Sequence, residues 1–214
     1  MKRIIMIVSA SFLLAFSALA ETGLIGIKLG YGELDATQKA YDDKRSGSGT
    51  IAARSASEDH EFAAVFVELN IPDVDGLSVG IELIPLDATL SVDSATTDSS
   101  LDISDYTTLY GLFSKDVNGV NVYGKLGYSM ADISNVKANF DNTSITSFDN
   151  SLEGPMIGIG VQTEIASEVI ARLEATHTMF DDVSVTTSTA SSLSVTKTGE
   201  ADLTTVSVSL AKSF

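Results

Sequence analysis

Residues 201–214, ADLTTVSVSLAKSF, alternate apolar and small polar side chains up to the last residue, Phe214. Counting back from Phe214, every second position includes Leu210, Val208 and Val206. The positions between are Ser213, Ala211, Ser209 and Ser207. A period of two puts the first set on one face of a strand and the second on the other. Small polar side chains on one face suit a strand that lines a narrow lumen. Chain ends fray unless they are tied into structure, so the pattern predicts a paired terminal strand ending on an aromatic residue.

The opposite end carries a different signal. Met1 to Ala20, MKRIIMIVSASFLLAFSALA, opens with Lys2 and Arg3, continues through a largely apolar segment and closes on Ala18-Leu19-Ala20. That order predicts a cleaved signal peptide over 1–20 and a single exported domain over 21–214. Lys2 and Arg3 leave with the signal, so the formal charge moves from −16 to −18. So acidic a protein offers no basic surface for nucleic acid. With no cysteine in 214 residues, neither a disulfide framework nor thiolate chemistry is available. After the signal, no apolar run approaches the ~20 residues of a spanning helix. Residence in a membrane would therefore require a closed barrel, the other structure that satisfies every backbone group in lipid.

Eight segments keep the period of two: 23–35, 60–71, 77–90, 103–115, 120–132, 152–165, 169–181 and 201–214. Each reaches the ~9–11 residues that a tilted strand needs to cross a membrane. Residues 72–76 (PDVDG), 116–119 (DVNG) and 166–168 (ASE) read as tight turns, with Asn118-Gly119 and Asp75-Gly76 the strongest hairpin signals. Longer polar stretches at 36–59, 91–102, 133–151 and 182–200 alternate with these turns. That rhythm predicts an all-β, eight-stranded, antiparallel up-and-down transmembrane barrel with both termini on one side.

The faces follow from parity. Ile25, Ile27, Leu29 and Tyr31 oppose Gly26, Lys28, Gly30 and Gly32; Leu77, Val79, Ile81 and Leu83 oppose Ser78, Gly80 and Glu82. Val120, Val122, Leu126, Tyr128 and Met130 oppose Asn121, Lys125, Gly127 and Ser129. In 103–115 the faces are ambiguous; the favoured assignment sets Tyr106, Tyr110 and Leu112 outward, which leaves Leu109 and Phe113 inward. Apolar outside and polar inside is the membrane-barrel pattern.

The glycine-rich strands, such as Val122-Tyr123-Gly124-Lys125-Leu126-Gly127-Tyr128 and Gly158-Ile159-Gly160-Val161, together with the strand rhythm, resemble the small OmpA/OmpX-type, porin-like outer-membrane barrels. The terminal strand resembles that family's assembly signal, which assigns the signal here to Phe214, Leu210 and Val208. Lys212 departs from the pattern, which usually has an apolar or aromatic residue at that place. The resemblance implies a Gram-negative outer membrane with periplasmic termini. Its implied partners are membrane lipids, lipopolysaccharide, and the periplasmic chaperone and barrel-assembly machinery, with an unknown surface ligand as a further option. No peptidoglycan-binding domain is expected after the barrel.

Parity sends Lys28, Glu68, Glu82, Lys125, Arg172 and Glu174 into the lumen, joined by Gln162 and Glu164. An eight-stranded barrel is only wide enough for its own side chains, and buried charges must pair. The six charges therefore predict a salt-bridge plug, or else the gate of a narrow ion path as proposed for resembling barrels. Asp93, Asp98, Asp102, Asp105, Asp141, Asp149, Asp181 and Asp182 place negative charge in the loops or at strand ends. Oxygen ligands of this kind suit calcium or magnesium, but no EF-hand spacing is present and no metal site or cofactor is assigned.

Catalysis has little to work with. His177 stands on the opposite strand face from Glu174 and Arg172, and the position two residues after it, a serine in resembling deacylase barrels, is Met179. His60 belongs to the rim of a Ser-rich loop. The expected role is structural or surface-interacting, with minor passive permeability and no enzymatic activity. The competing readings are a soluble exported barrel that binds a small ligand, and a lipid-modifying outer-membrane enzyme.

Overall fold

The computed structural model describes residues 23–43, 49–85, 88–94, 97–138, 143–189 and 194–214. The expected signal peptide and Asp141 lie outside the described residues. The strands are β1 (Gly23–Gln38), β2 (Tyr41–Asp43), β3 (Gly49–Ile51), β4 (Arg54–Asn70), β5 (Leu77–Ile84) and β6 (Ala88–Ser94). They continue as β7 (Thr97–Val117), β8 (Val120–Ala138), β9 (Thr143–Phe148), β10 (Ser151–Ala166), β11 (Val169–Thr189) and β12 (Ser194–Ser213).

Eight of them close a ring in the order β1, β4, β5, β7, β8, β10, β11, β12 and back to β1, every pair antiparallel. The seam between β1 and β12 runs from Leu24↔Ser213 to Gln38↔Gly199. At its end Gly23 N–H donates to the Phe214 carbonyl at 3.1 Å and Phe214 N–H to the Gly23 carbonyl at 3.0 Å. A closed ring leaves no open sheet edge.

The tight turns fall where expected. Asn118 and Gly119 both have positive φ, 57° and 86°, the conformation that matches a two-residue turn to the twist of its strands. At 71–76 the chain turns through Asp73 (φ 62°) and Gly76 (φ 76°), and at 166–168 through Glu168 (φ 64°). All three turns and both ends of the described barrel lie at one end.

At the far end the structure differs from the expected loops, because the ladders simply continue. The β11–β12 hairpin stays paired to Ser188↔Ser194, β7 with β8 to Ser99↔Ala138, and β1 with β4 to Gln38↔Arg54. The Ser/Thr run of 186–198 is thus mostly strand, helped by cross-strand bonds such as Thr186 to Thr196 at 2.9 Å. The expected strand 77–90 divides: β5 stops at Ile84, before Pro85, whose nitrogen has no hydrogen to give a ladder. The chain resumes as β6, which pairs with β7.

The faces invert those of a water-soluble fold. Ile25, Ile27, Leu29, Leu126, Ile157, Ile159, Leu173, Val206, Val208 and Leu210 are exposed on the outside, while Lys28, Glu68, Glu82, Lys125, Arg172 and Glu174 are buried inside. One strand corrects the sequence reading. Tyr110 and Leu112 are buried in the lumen at 3% and 1% exposure, whereas Leu109 (44%) and Phe113 (60%) face outward. Tyr106 also turns inward, its hydroxyl 3.3 Å from that of Thr178. The cause is register: the turn at 118–119 sets Leu112 opposite Lys125 and Tyr110 opposite Gly127, and directly paired residues share a face.

Inside, the charged layer lies between two apolar ones. Toward the turns sit Leu24, Phe66 and Ala211; toward the far end sit Leu34, Ala131, Ile133, Leu152, Phe180 and Leu203. This outer apolar layer was not expected from the sequence, where the interior reads as Gly, Ser, Lys and Glu.

Candidate functional site

Lys28, Glu82, Lys125 and Glu174 project inward from β1, β5, β8 and β11, which are alternate members of the eight-strand ring. Their signs alternate around the lumen, and each charge contacts both neighbours. Lys28 Nζ reaches Glu82 Oε2 at 2.5 Å and Glu174 Oε1 at 2.6 Å; Lys125 Nζ reaches the same two oxygens at 3.0 and 3.1 Å. The result is a four-cornered ring of ion pairs across the barrel. All four side chains are at most 8% exposed, where an unpaired charge would cost several kcal/mol (about 3–5 on losing its partner).

A second pair lies beside it. Arg172 on β11 donates from both terminal nitrogens to the two oxygens of Glu68 on β4, at 2.5 and 2.6 Å, the fork geometry that makes arginine–carboxylate contacts strong. Two tyrosines complete the layer: Tyr110, which the sequence reading set outward, and Tyr123, which it assigned to neither face. Tyr110 donates to Glu68 at 2.8 Å and Tyr123 to Glu174 at 3.0 Å. Lys125 Nζ sits 3.9 Å from the centre of the Tyr110 ring, and the Arg172 guanidinium 5.5 Å from that of Tyr123, within cation–π range. Gly80 makes room for Tyr110, since a Cβ there would lie 2.6 Å from its Cζ. A sequence signal for both tyrosines existed: Tyr123 shares the parity of Lys125, and the Asn118-Gly119 turn carries that parity across to Tyr110.

The structure therefore brings all six predicted lumen charges together, as two connected, neutral groups. The two companions fare differently. Gln162 is half-buried, while Glu164 is exposed at the turn end, beside the irregularity between Glu164 and Ala166.

Toward the far end, Glu82 and Lys125 of the four-cornered ring border a small chamber of about 30 Å³. His60, Tyr106, Thr108, Thr176 and Thr205 line it with Phe62 and Leu203. His60 thus points into the lumen and not to a loop rim, because it shares the parity of Phe62, Ala64 and Phe66 on β4. Roofing the chamber is the apolar layer, where Tyr106 meets Phe180 edge to face at 6.4 Å. His177 faces outward and meets Thr204 Oγ1 at 3.0 Å, away from Arg172 and Glu174. Phe214, Leu210 and Val208 also face outward and are exposed. Among the described residues no group of three His, Asp or Glu side chains is placed to hold a metal ion.

Residues 5–210 match the family described as outer membrane protein beta-barrel domain. The chain belongs to that family. The protein is an integral outer-membrane β-barrel of the Gram-negative envelope. Its fold is similar to that of OprG from Pseudomonas aeruginosa, at 13% identity and a TM-score of 0.64, with 90% of this chain and 96% of OprG covered. The outer membrane protein AlkL matches at 14% identity and 0.56, covering 90% of each chain. The outer membrane protease OmpT from Escherichia coli matches at 8% and 0.53, covering 91% and 97%. At such identities the likeness is one of fold. No curated protein matches the chain.

As a member of this family, the barrel turns its exposed apolar face to lipid. Short turns are periplasmic in such barrels, so the far end is the outer one. There the apolar outward rows give way on strand after strand to exposed carboxylates: Glu33, Glu61, Asp105, Glu153 and Asp181.

Proposed function

We propose that the protein is a closed, non-enzymatic barrel whose role is structural and interaction-based, exercised through its outer surface and not through its lumen. One observation carries this reading: the four-cornered ring of Lys28, Glu82, Lys125 and Glu174, in which every charge is paired across the lumen. Arg172 and Glu68 add a second neutral barrier beside it. The outer ends of β7, β8, β11 and β12, with β6 and β9 alongside, are Ser- and Thr-rich in sequence and continue the sheet outward, which suits contact with an external partner. His177, held by Thr204, has the surroundings of a surface side chain and not of a general base.

A second reading, passive ion flow gated by the same charges, is favoured by the chamber above the ring. Planar-bilayer recording separates the two. The closed reading expects no resolvable channels from the native protein and none from Lys125→Ala or Glu82→Ala after refolding is verified by heat-modifiable gel migration. Discrete openings in either variant, cation-selective for Lys125→Ala and anion-selective for Glu82→Ala, would favour the gate, and openings in the native protein would end the closed reading.

A further inference from the structure

The outer wall carries a groove of about 380 Å³ near the periplasmic rim, where β4, β1, β12 and β11 lie side by side. Its floor and sides are apolar: Ile25, Ile27, Val65, Val169 and Leu210, with the backbone of Gly26 and Ala211 between them. At its periplasmic end stands Lys212, paired in register with Ile25 on one side and Val169 on the other. Lys212 is the residue that breaks the apolar row of the terminal strand. Beside it Glu168, in the turn before β11, places Oε2 3.7 Å from Lys212 Nζ, with the two side chains 68% and 61% exposed. That contact is long and open to water, so it adds little to stability. It does set one positive and one negative charge side by side at the mouth of an apolar groove.

We propose that this groove is a binding site for one periplasmic-leaflet phospholipid with a phosphoethanolamine headgroup. An acyl chain lies along Ile25, Ile27, Val65 and Leu210, the phosphate meets the Lys212 ammonium, and the lipid ammonium meets the Glu168 carboxylate. Lipid is the occupant because the groove lies on the membrane-facing wall, where acyl chains are the solvent. The headgroup follows from charge complementarity. A lone lysine would accept any anionic lipid, whereas the Lys212–Glu168 pair fits a zwitterion whose ammonium still carries hydrogens to donate. Lysine near a membrane interface reaches its ammonium to headgroup level while its stem stays on apolar surface.

Native mass spectrometry of the detergent-purified full-length protein, titrated with phosphatidylethanolamine, phosphatidylcholine or phosphatidylglycerol of identical chains, tests the site. The expected result is one phosphatidylethanolamine retained at activation energies that strip the other two lipids. Lys212→Gln and Glu168→Gln each lower that retention about fivefold, the worth of one partly exposed charge contact. Both variants must migrate as folded barrels before heating, which separates loss of the site from loss of the fold. Equal retention of the three lipids, unchanged retention in both variants, or a dimer in place of the lipid-bound monomer would overturn the proposal.

Discussion

At the residue scale, the lumen shows how burial converts charge into an obligation. Arg172 and Glu68 neutralise each other through two bonds; removing one partner leaves the other charged and dry. Arg172→Met is therefore expected to cost about 3–5 kcal/mol, while Arg172→Met combined with Glu68→Gln should recover most of that loss. Urea unfolding in lipid vesicles, followed by heat-modifiable gel migration, would measure both. An equal loss in the single and double variants would show that packing, not charge, dominates. The six charges were legible from parity alone, because Lys and Glu at inward positions have few alternatives. Tyr110 and Leu112 are ambiguous from the sequence because both faces of 103–115 carry large apolar residues. Their inward placement follows from the hairpin at Asn118-Gly119, a fact about the neighbouring strand and not about the residues themselves.

At the element scale, the strands extend well beyond the membrane and are tied together there. Lys39, just after β1, bonds Asp182 of β11 at 2.7 Å and lies 3.3 Å from Glu200 of β12. The hydrogen bond to Asp182, supported by Glu200, raises the lysine's pKa above its ordinary value. A raised pKa in the folded state means the tie is complete at neutral pH and lost as pH rises through that folded value. A spin label on Ala40→Cys should accordingly be less mobile than in the same label site with Lys39→Met at neutral pH, and equally mobile above lysine's titration range. A difference that persisted at high pH would remove the ion pair from the explanation. At the other end of the same seam, deleting Phe214 removes both backbone bonds to Gly23 and the terminal aromatic, whereas Lys212→Tyr leaves them. Assembly into the outer membrane, followed by the heat-modifiable fraction, should fall with the deletion and stay near native with the substitution. Normal insertion of the truncated chain would exclude a role for Phe214 in assembly. The transmembrane part of each strand could be read from a period of two. The outward extensions could not, since Ser- and Thr-rich sequence supports strand or loop equally and is decided here by pairing already begun below.

At the scale of the whole molecule, the closed ring, the ion-paired lumen and the apolar outer wall make one consistent object; the turn rhythm predicted the ring, and strand parity predicted the faces. The layering of the lumen was not predictable from strand patterns taken singly. Leu34, Ile133, Leu152, Phe180 and Leu203 come from β1, β8, β10, β11 and β12, and only closure of the ring makes them neighbours. The carboxylates that end the apolar rows have a further consequence. On β1 the outward apolar row runs only from Ile25 to Tyr31 before Glu33, and on β4 from Leu69 to Ala63 before Glu61. At ~3.3 Å per residue that is roughly 20 Å of strand. Across the barrel, Val120 to Met130 on β8 gives roughly 33 Å by the same rise. The belt is lopsided, so a bilayer of uniform thickness cannot match both sides of an upright barrel. Either the barrel leans or the lipid thins beside the β1–β12 seam. Polarised infrared spectra of oriented bilayers should show the barrel axis moving away from the membrane normal as lipid chains lengthen, and an axis indifferent to chain length would place the mismatch entirely in the lipid.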